Sequence, residues 1–211
     1  MKEATEKYHR SFKDSKAEEY LASRDLTVPA IVDEPEDKAY FRLGYVDDPL
    51  PGHEMYRGML ALPYLRKSYE FGWGVASIRF RCIEEHEHHG HGKYMTVAGD
   101  RPRLYNTLAL WKPVDTVAIT EGELDAIAAE SCGVRAVGVP GATSWQRYFR
   151  EPFLGYQTVY ILADGDEAGM QFANTVASDL PNARIVPMPK GSDVNDFVLR
   201  EGREALKDRL K

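Results

Sequence analysis

The stretch YILADGDEAG, Tyr160–Gly169, joins an apolar run to two carboxylates. The run suits a buried strand, and it stops abruptly at Asp164 and Asp166. The glycines at positions 165 and 169 let the backbone turn sharply and let a bulky ligand approach. Asp and Gly also favour ordinary turns, so this motif alone is more typical of a structural turn. Its meaning therefore depends on the elements around it.

Strands and helices alternate on both sides of this stretch, from about residue 113 to the end of the chain. Strands are predicted at VDTVAIT, VRAVGV, QTVYILA and ARIVPM. Helical segments are predicted at GELDAIAAESCG, SWQRYFREPF, EAGMQFANTVASDL and, as one terminal helix, VNDFVLREGREALKDRL. This alternation predicts a mainly parallel four-stranded sheet with helices on its faces. We therefore expect an α/β domain over residues 113–211.

Acidic residues follow three of the four predicted strands. Ligands of a parallel α/β sheet collect beyond the carboxyl ends of its strands. Gathered carboxylates repel each other unless a cation or a proton compensates, and hard oxygen ligands suit Mg²⁺ or Mn²⁺. The sequence therefore predicts a divalent metal site. Its candidate residues are Glu121 and Asp125 after the first strand, Asp164 and Asp166 after the third, and Asp193, Asn195 and Asp196 after the fourth.

The first half of the chain is predicted to be a smaller α+β subdomain spanning residues 17–112. Residues 1–16 are polar and are expected to form a loose lead-in or a frayed helix. A short helix begins at Ala17, and a second helical segment lies within residues 26–46. Residues 59–83 then have the pattern of strands. In FGWGVASIRFRCI, alternation places four side chains on one face of the strand: Val75, Ser77, Arg79 and Arg81. Those on the opposite face are Ile78, Phe80 and Cys82. Both arginines therefore point the same way.

Composition favours a soluble globular protein with no membrane span. Charged residues make up 28% of the chain, and no apolar run approaches the roughly 18 residues of a spanning helix. The charged N-terminus lacks the apolar region of a signal peptide, so we expect a cytoplasmic location. A net charge of -6 argues against a uniformly basic surface for nucleic acid. Basic residues gather in the first half, however, and a negative total is compatible with a local basic groove.

The cysteines and histidines of the chain permit a metal site but do not require one. Cys82 and Cys132 are isolated, so they form neither a disulfide framework nor a zinc site by themselves. Four histidines crowd the segment EEHEHHGHGKYM: His86, His88, His89 and His91. Dense histidine interrupted by glycine is more typical of a solvated loop than of a specific metal site.

The order of the acidic motifs resembles a Toprim domain, the metal-binding fold shared by bacterial-type primases, topoisomerases and some nucleases. The order is a strand with E-G-x-x-D, a strand, a strand with D-x-D-x-x-G, and a strand with a further acidic turn. The resemblance covers about residues 113–200. It implies that Glu121 is an acid/base residue or a metal ligand, with Asp125 in support. It also implies that Asp164 and Asp166 bind metal, together with Asp193.

The first half resembles the N-terminal subdomain of the DnaG-type primase catalytic core. The matching segments, in order, are AEEYLASRDLT, FRLGYV, GMLALPYL, GVASIRFRCI and KYM…PRLYN. The resemblance then spans residues 17–200 and fits a primase of bacteriophage size. It implies that four residues line the groove for the template strand and the nucleoside triphosphate: Arg79, Arg81, Lys93 and Tyr94. Tyr94 either stacks on a base or sugar or belongs to the core.

Three departures from the family pattern accompany this resemblance. The family's KYLN is KYMT here, with Thr96 in place of asparagine, and the usual D-P-D is DVND. Asn195 thus replaces a carboxylate, and Asp193 or Asp196 must serve instead. The zinc-binding and helicase-binding domains of full-length primases are not in this sequence. We therefore expect a separate zinc-binding primase subunit and a replicative helicase as partners.

The expected function is that of a DNA primase catalytic core. Such a core joins ribonucleoside triphosphates into short RNA primers on single-stranded DNA, with Mg²⁺ or Mn²⁺ as the cofactor. A Toprim nuclease uses the same metal site but leaves the first half unexplained, and a topoisomerase requires a companion domain with a nucleophilic tyrosine. A non-catalytic DNA-binding Toprim module is the third alternative. The retention of Glu121, Asp164 and Asp166 argues against it.

Overall fold

Two units, Met1–Arg101 and Pro102–Lys211, make up the chain, and each contains its own four-stranded sheet. The structure, a computed structural model, describes residues 1–26, 41–70 and 72–211. Most of the second predicted helical segment, residues 27–40, lies outside the described residues. Among the helices that the structure describes, none has both the length and the apolar character of a membrane span.

The first unit is an antiparallel sheet with two helices. Helices α1 and α2 cover Lys2–Arg10 and Lys16–Ala22. The strands lie in the order β1-β2-β3-β4, and every neighbouring pair is antiparallel. Their bounds are β1, Gly44–Tyr45; β2, Leu60–Ser68; β3, Gly72–Arg81; and β4, Tyr94–Thr96.

The N-terminal segment forms a helix that is part of this unit's core, whereas the sequence predicted a loose lead-in or a frayed helix. Ala4 and Tyr8 stand one helical turn apart on α1, are buried, and pack in one cluster with Ile78 and Phe80 of β3. Residues four apart lie on the same face of a helix, so this polar segment still presents an apolar stripe. The Ser15 side chain then caps α2 by accepting from the Glu18 amide at 3.3 Å.

Because of a β-bulge in the first sheet, one prediction for β3 is wrong. Ser77 pairs with Tyr64 and Val75 with Leu65, which leaves Ala76 as an extra residue. An extra residue reverses the alternation of faces on one side of a bulge. Val75 therefore packs against the core cluster, not on the face predicted for the arginines.

The second unit is the predicted α/β domain, with all neighbouring strands parallel in the order β6-β5-β7-β8. Short 3-10 helices cover Thr107–Trp111 and Arg147–Phe153. The strands are β5, Thr116–Thr120; β6, Ala136–Gly138; β7, Thr158–Ala163; and β8, Ala183–Pro187. The helices are α3, Glu123–Ser131; α4, Glu167–Asp179; α5, Val194–Glu201; and α6, Arg203–Asp208.

The boundary between the two units lies between Arg101 and Pro102, before the predicted boundary of 112/113. Tyr105 forms a β-bridge with Gly138, and the Asn106 side chain donates to the Ala136 carbonyl at 2.8 Å. Residues 102–112 therefore belong to the second unit. The predicted single terminal helix is also divided, because Gly202 has a φ of +88° and ends α5 before α6 begins.

The strand order fixes where a ligand site is expected in the second unit. The chain leaves β5 for β6 on one side and then passes to β7 and β8 on the other. The gap beyond the carboxyl ends of β5 and β7 is thus the topological switch point, where ligands of open α/β sheets bind. Glu121 follows β5 directly and Asp164 follows β7 directly.

Candidate functional site

Asp164 lies at the centre of a group of carboxylates at this switch point. Its Oδ1 is buried and has no hydrogen-bond partner among the described residues. Burial, followed by the negative charges of four neighbouring acids, raises the pKa of Asp164 to about 8; these acids are Asp125, Glu121, Asp193 and Asp166. The structure therefore brings together five of the six acidic residues that the sequence selected for this site.

Glu121 is in a similar environment. Its Oε2 is buried and unpartnered within the described parts of the chain. Burial and then the charge of Asp166 raise the pKa of Glu121, and a hydrogen bond from the Ala142 backbone opposes this shift. A carboxyl group with a raised pKa holds a proton closer to neutral pH, which suits an acid/base residue.

Two of the acids are held by the helices that they begin. Asp166 is the N-cap of α4, and its Oδ1 accepts from the Gly169 amide at 2.7 Å. Asp193 is the N-cap of α5, and its Oδ1 accepts from the Asp196 amide at 2.6 Å. Capping restricts each side chain to one orientation and places its charge at the positive end of a helix dipole.

The two aspartates of the acidic turn after β8 lie in different environments. Asp193, not Asp196, is among the charges that act on Asp164, while Asp196 is exposed. Asn195 is buried, and its backbone amide donates to Asp125 Oδ1 at 3.1 Å. Asn195 therefore positions Asp125 through its backbone, a role that does not require a carboxylate.

Two glycines in the motif allow the close packing of this edge. A Cβ on Gly165 would lie 1.9 Å from the Pro189 carbonyl oxygen, and a Cβ on Gly169 would lie 2.5 Å from the Asp164 carbonyl oxygen. Backbone atoms yield little, so neither position accepts a side chain without displacing the loops that carry the acids. The glycines thus serve the approach of backbone to backbone.

The donor set of this cluster fits a divalent cation. Two buried oxygens without hydrogen-bond partners, on Asp164 and Glu121, are costly unless a cation or a proton satisfies them. Hard carboxylate oxygens are the ligands that Mg²⁺ and Mn²⁺ prefer. The residues available to hold such an ion are Glu121, Asp164, Asp166 and Asp193.

In the first unit, three of the four predicted nucleic-acid contacts lie together. The guanidinium carbons of Arg79 and Arg81 lie 4.4 and 4.7 Å from the Tyr94 ring centroid. Arg81 is buried and also donates to the hydroxyls of Tyr20, at 2.9 Å, and Tyr94. Burial lowers the pKa of Arg81, but the two tyrosines outweigh it and the pKa is raised. Arg79 is only partly buried.

Lys93 and Thr96 flank this group on either side. Lys93 is exposed, and its carbonyl accepts from the Cys82 amide at 2.9 Å. Thr96 pairs with Arg79 across the sheet and is exposed, so the residue that departs from the family pattern lies beside the arginines.

Sequence reasoning missed Tyr20, Glu123 and Asn106. Tyr20 lies in the predicted short helix that begins at Ala17, where nothing in the sequence distinguishes it, although its hydroxyl accepts from Arg81. Glu123, at the start of α3, is buried, and its place between two selected acids was the available signal. Asn106 has a φ of +55° and bonds to the buried edge strand β6, which no local pattern indicated.

The Toprim-like family matches residues 118–198, the segment that contains all five acids. The chain is 58% identical over 156 residues to the Gene 57 protein of Mycobacterium phage D29, which covers 74% of this chain and the whole of that protein. It is 29% identical over 115 residues to a DNA primase of Pseudomonas aeruginosa. That match covers 51% of this chain but 17% of the primase.

Solved structures of primase domains share this fold. A DNA primase domain from Pseudomonas aeruginosa superposes with a TM-score of 0.73 at 21% identity, covering 99% of this chain and 76% of that one. A DnaG primase catalytic domain bound to single-stranded DNA gives a TM-score of 0.71 at 20% identity, covering 98% and 77%. Both units thus occur in the order found in DnaG catalytic cores.

Proposed function

The chain belongs to the family of the Gene 57 protein of Mycobacterium phage D29 and has the fold of a DnaG primase catalytic core, and from this premise we propose that it synthesises short RNA primers on single-stranded DNA. The observation that carries the proposal is the convergence of Glu121, Asp125, Asp166 and Asp193 on Asp164. This arrangement lies at the switch point of a Toprim-like sheet.

The acids of the second unit would hold the metal. Asp164, Asp166 and Asp193 supply the ligands, and Glu121 completes the set or acts in proton transfer. Bound Mg²⁺ or Mn²⁺ neutralises charge on a transferring phosphoryl group and aligns its reactants. Asp125, fixed by the Asn195 amide, supports the cluster from the side of α3.

Glu121 is the residue best suited to accept the proton of the primer's 3′-hydroxyl. Its raised pKa, caused by burial and by Asp166, makes it a stronger base than an exposed glutamate. Nucleophilic attack on the α-phosphorus of a ribonucleoside triphosphate releases pyrophosphate, and the hydroxyl proton must leave as the new ester forms. A buried carboxylate beside the cluster provides that acceptor.

The basic residues of the first unit would bind phosphates. The fork of Arg79 matches phosphate oxygens, and Lys93 adds an exposed positive charge. Arg81 holds the hydroxyls of Tyr94 and Tyr20, and the Tyr94 ring lies against both arginines, where it would contact a base or sugar beside the phosphates. We assign these residues to the template strand or to the incoming nucleotide. A primase structure with bound single-stranded DNA among the similar folds supports this assignment.

The partners follow from the same premise. A similar structure from Aquifex aeolicus contains zinc-binding and RNA polymerase domains, which supports a zinc-binding primase domain or subunit as the partner for template recognition. A replicative helicase is the other partner that a priming core requires. The phage relative supports a role in the cytoplasm of an infected cell.

The decisive experiment is primer synthesis by the purified chain. Labelled ribonucleotides, Mg²⁺ or Mn²⁺ and single-stranded DNA, with and without an annealed primer, should give short metal-dependent RNA. Asp166→Asn should reduce the product at least about 100-fold, because it removes a charge from the metal site. Glu204→Gln, an exposed acid on α6, is the matched control and should retain activity.

The alternatives give different products in the same reaction. A Toprim nuclease would shorten the DNA with the same dependence on Asp166, and a non-catalytic module would bind single-stranded DNA without changing it. Unaltered activity of Asp166→Asn would exclude the mechanism proposed for the acidic cluster.

A further inference from the structure

The segment between β3 and β4 carries a second cluster of metal-ligating groups that the proposed function does not use. Cys82, His86, His88 and His91 each offer one ligand atom, and these atoms all lie within 4.8 Å of one another. The sequence favoured a solvated loop for these histidines. Most of the loop is exposed in the structure, and it folds back so that three of the histidines each place a nitrogen near the buried Cys82.

The surroundings of two histidines favour tautomers that point their Nε2 lone pairs at each other. His91 Nδ1 lies 3.1 Å from the Gly92 carbonyl oxygen, and His86 Nδ1 lies 3.6 Å from the Glu84 carboxylate. Both acceptors favour a proton on Nδ1, so Nε2 of each neutral ring carries a lone pair. These two Nε2 atoms are 3.2 Å apart. Either a proton on one Nε2 or a cation held by both nitrogens makes this contact favourable.

Two of the six distances between the ligand atoms are close to the edges of a tetrahedral zinc site. With Zn–N near 2.0–2.1 Å and Zn–S near 2.3 Å, tetrahedral geometry places two nitrogens about 3.3 Å apart and a nitrogen and a sulfur about 3.6 Å apart. The observed His86 Nε2 to His91 Nε2 distance is 3.2 Å, and the His86 Nε2 to Cys82 Sγ distance is 3.8 Å. His88 supplies the fourth corner. Its Nδ1 is buried and unpartnered within the described residues.

We propose that Cys82, His86, His88 and His91 bind one Zn²⁺ in a closed tetrahedral site. Three imidazole nitrogens and one thiolate suit this borderline-soft ion, and the Cys82 thiol gives its proton to solvent as the bond to sulfur forms. Four protein ligands leave no open position, so the role is structural. The fourth loop histidine, His89, is 86% exposed and contacts Glu87, which places it outside the site.

The ion would fix the hairpin that carries the basic residues. Cys82 directly follows Arg81, and its amide donates to the carbonyl of Lys93, which directly precedes Tyr94. Zinc bound at Cys82 and His91 therefore closes the loop at both ends. The loop would thereby hold Arg81 and Tyr94 in the arrangement described above.

Metal content of the untagged chain tests the site. Protein produced with zinc in the medium and desalted should contain about one zinc per chain by mass spectrometry of the metal. Cys82→Ser and His88→Ala should lose it. Two matched controls, His89→Ala in the same loop and Cys132→Ser at the other cysteine, should keep it.

Cobalt provides a readout that is independent of activity and of zinc contamination. Co²⁺ added to the metal-free protein should give intense visible bands of a tetrahedral complex and a near-ultraviolet thiolate band. Cys82→Ser should abolish the thiolate band, whereas Cys132→Ser should leave it. Glu84→Gln should weaken zinc binding about 10-fold with unchanged stoichiometry, because Glu84 orients a ligand and does not bind the ion.

Circular dichroism of each metal-free variant separates loss of the site from loss of the fold. If Cys82→Ser fails to fold, His86→Ala in the exposed loop replaces it as the deciding variant. Folded wild-type protein with neither bound zinc nor a cobalt–thiolate band would overturn the proposal, as would full zinc retention by the folded deciding variant.

Discussion

The electrostatics of the second unit depend on the carboxyl group of Asp164. Its pKa rises from 3.8 to about 8, so between these pH values the folded chain holds a proton that the unfolded chain has released. The free energy of unfolding therefore falls as pH rises through this window. In Asp164→Asn this loss is absent. We expect the metal-free variant to be more stable than wild type by on the order of 1–3 kcal/mol at pH 8, with the difference vanishing near pH 4.

Thermal or urea unfolding in metal-free buffer at several pH values measures this difference. Asp166→Asn is the control, because that exposed carboxylate should give a smaller change. Saturating Mn²⁺ should reverse the order of wild type and Asp164→Asn, since only wild type keeps the full ligand set. A wild-type stability that does not fall between pH 4 and 8 relative to Asp164→Asn would contradict the predicted burial of this charge.

Gly165 sets a steric limit at the same edge of the sheet. Gly165→Ala places a Cβ 1.9 Å from the Pro189 carbonyl oxygen, so the loop before α5 must move. We expect a loss of about 2–3 kcal/mol in the free energy of unfolding, together with weaker Mn²⁺ binding in calorimetry. Gly155→Ala meets no atom within 4 Å and should change stability by less than about 0.5 kcal/mol. Equal stabilities of the two variants would refute the steric argument.

At the scale of elements, strand β3 carries Arg79, to which we assign a role in binding DNA, and Arg81, which is buried. Arg79→Ala should weaken binding of single-stranded DNA and reduce the slope of log affinity against log salt by about 1, with stability nearly unchanged. Arg81→Ala should also destabilise the chain by about 1–3 kcal/mol, because Arg81 is buried and donates to two tyrosine hydroxyls. Fluorescence anisotropy at several salt concentrations and urea unfolding separate the two effects.

Lys13→Ala is the matched control for these arginines. It removes one positive charge from an exposed position in the same unit and should leave both the affinity and the salt dependence nearly unchanged. A uniform effect of all three substitutions would mean that the contribution of β3 is only its net charge.

The elements that the sequence predicted well are those whose signal is local. Parallel strands buried on both faces give continuous apolar runs, so β5 and β7 and the acids after them were found. The position of Val75 was wrong, because a bulge is decided by the partner strand. The histidine loop, for which the sequence favoured a solvated structure, likewise depends on contacts that are not local. Whether His86 and His91 meet Cys82 depends on how the loop folds back, and no periodicity encodes that path.

At the scale of the whole molecule, the division at Arg101/Pro102 makes the second unit separable. A fragment of residues 102–211 has its own core and should fold and bind Mn²⁺ alone. Residues 102–112 contribute Leu104 and Ala109 to that core, and Asn106 donates to the side chain of Glu130 and to the Ala136 carbonyl. A fragment beginning at residue 113 loses these contacts. It should be less stable by about 3 kcal/mol or more.

Urea unfolding followed by circular dichroism compares the two fragments, and Asn106→Ala in the longer fragment isolates one contribution. That substitution leaves the buried edge of β6 without its donor and should account for about 1–2 kcal/mol of the difference. Fragments of equal stability would place residues 102–112 outside the folded unit and return the boundary to the position that the sequence predicted. A longer fragment that folds but does not bind Mn²⁺ would instead show that the five acids of this unit are insufficient for the metal.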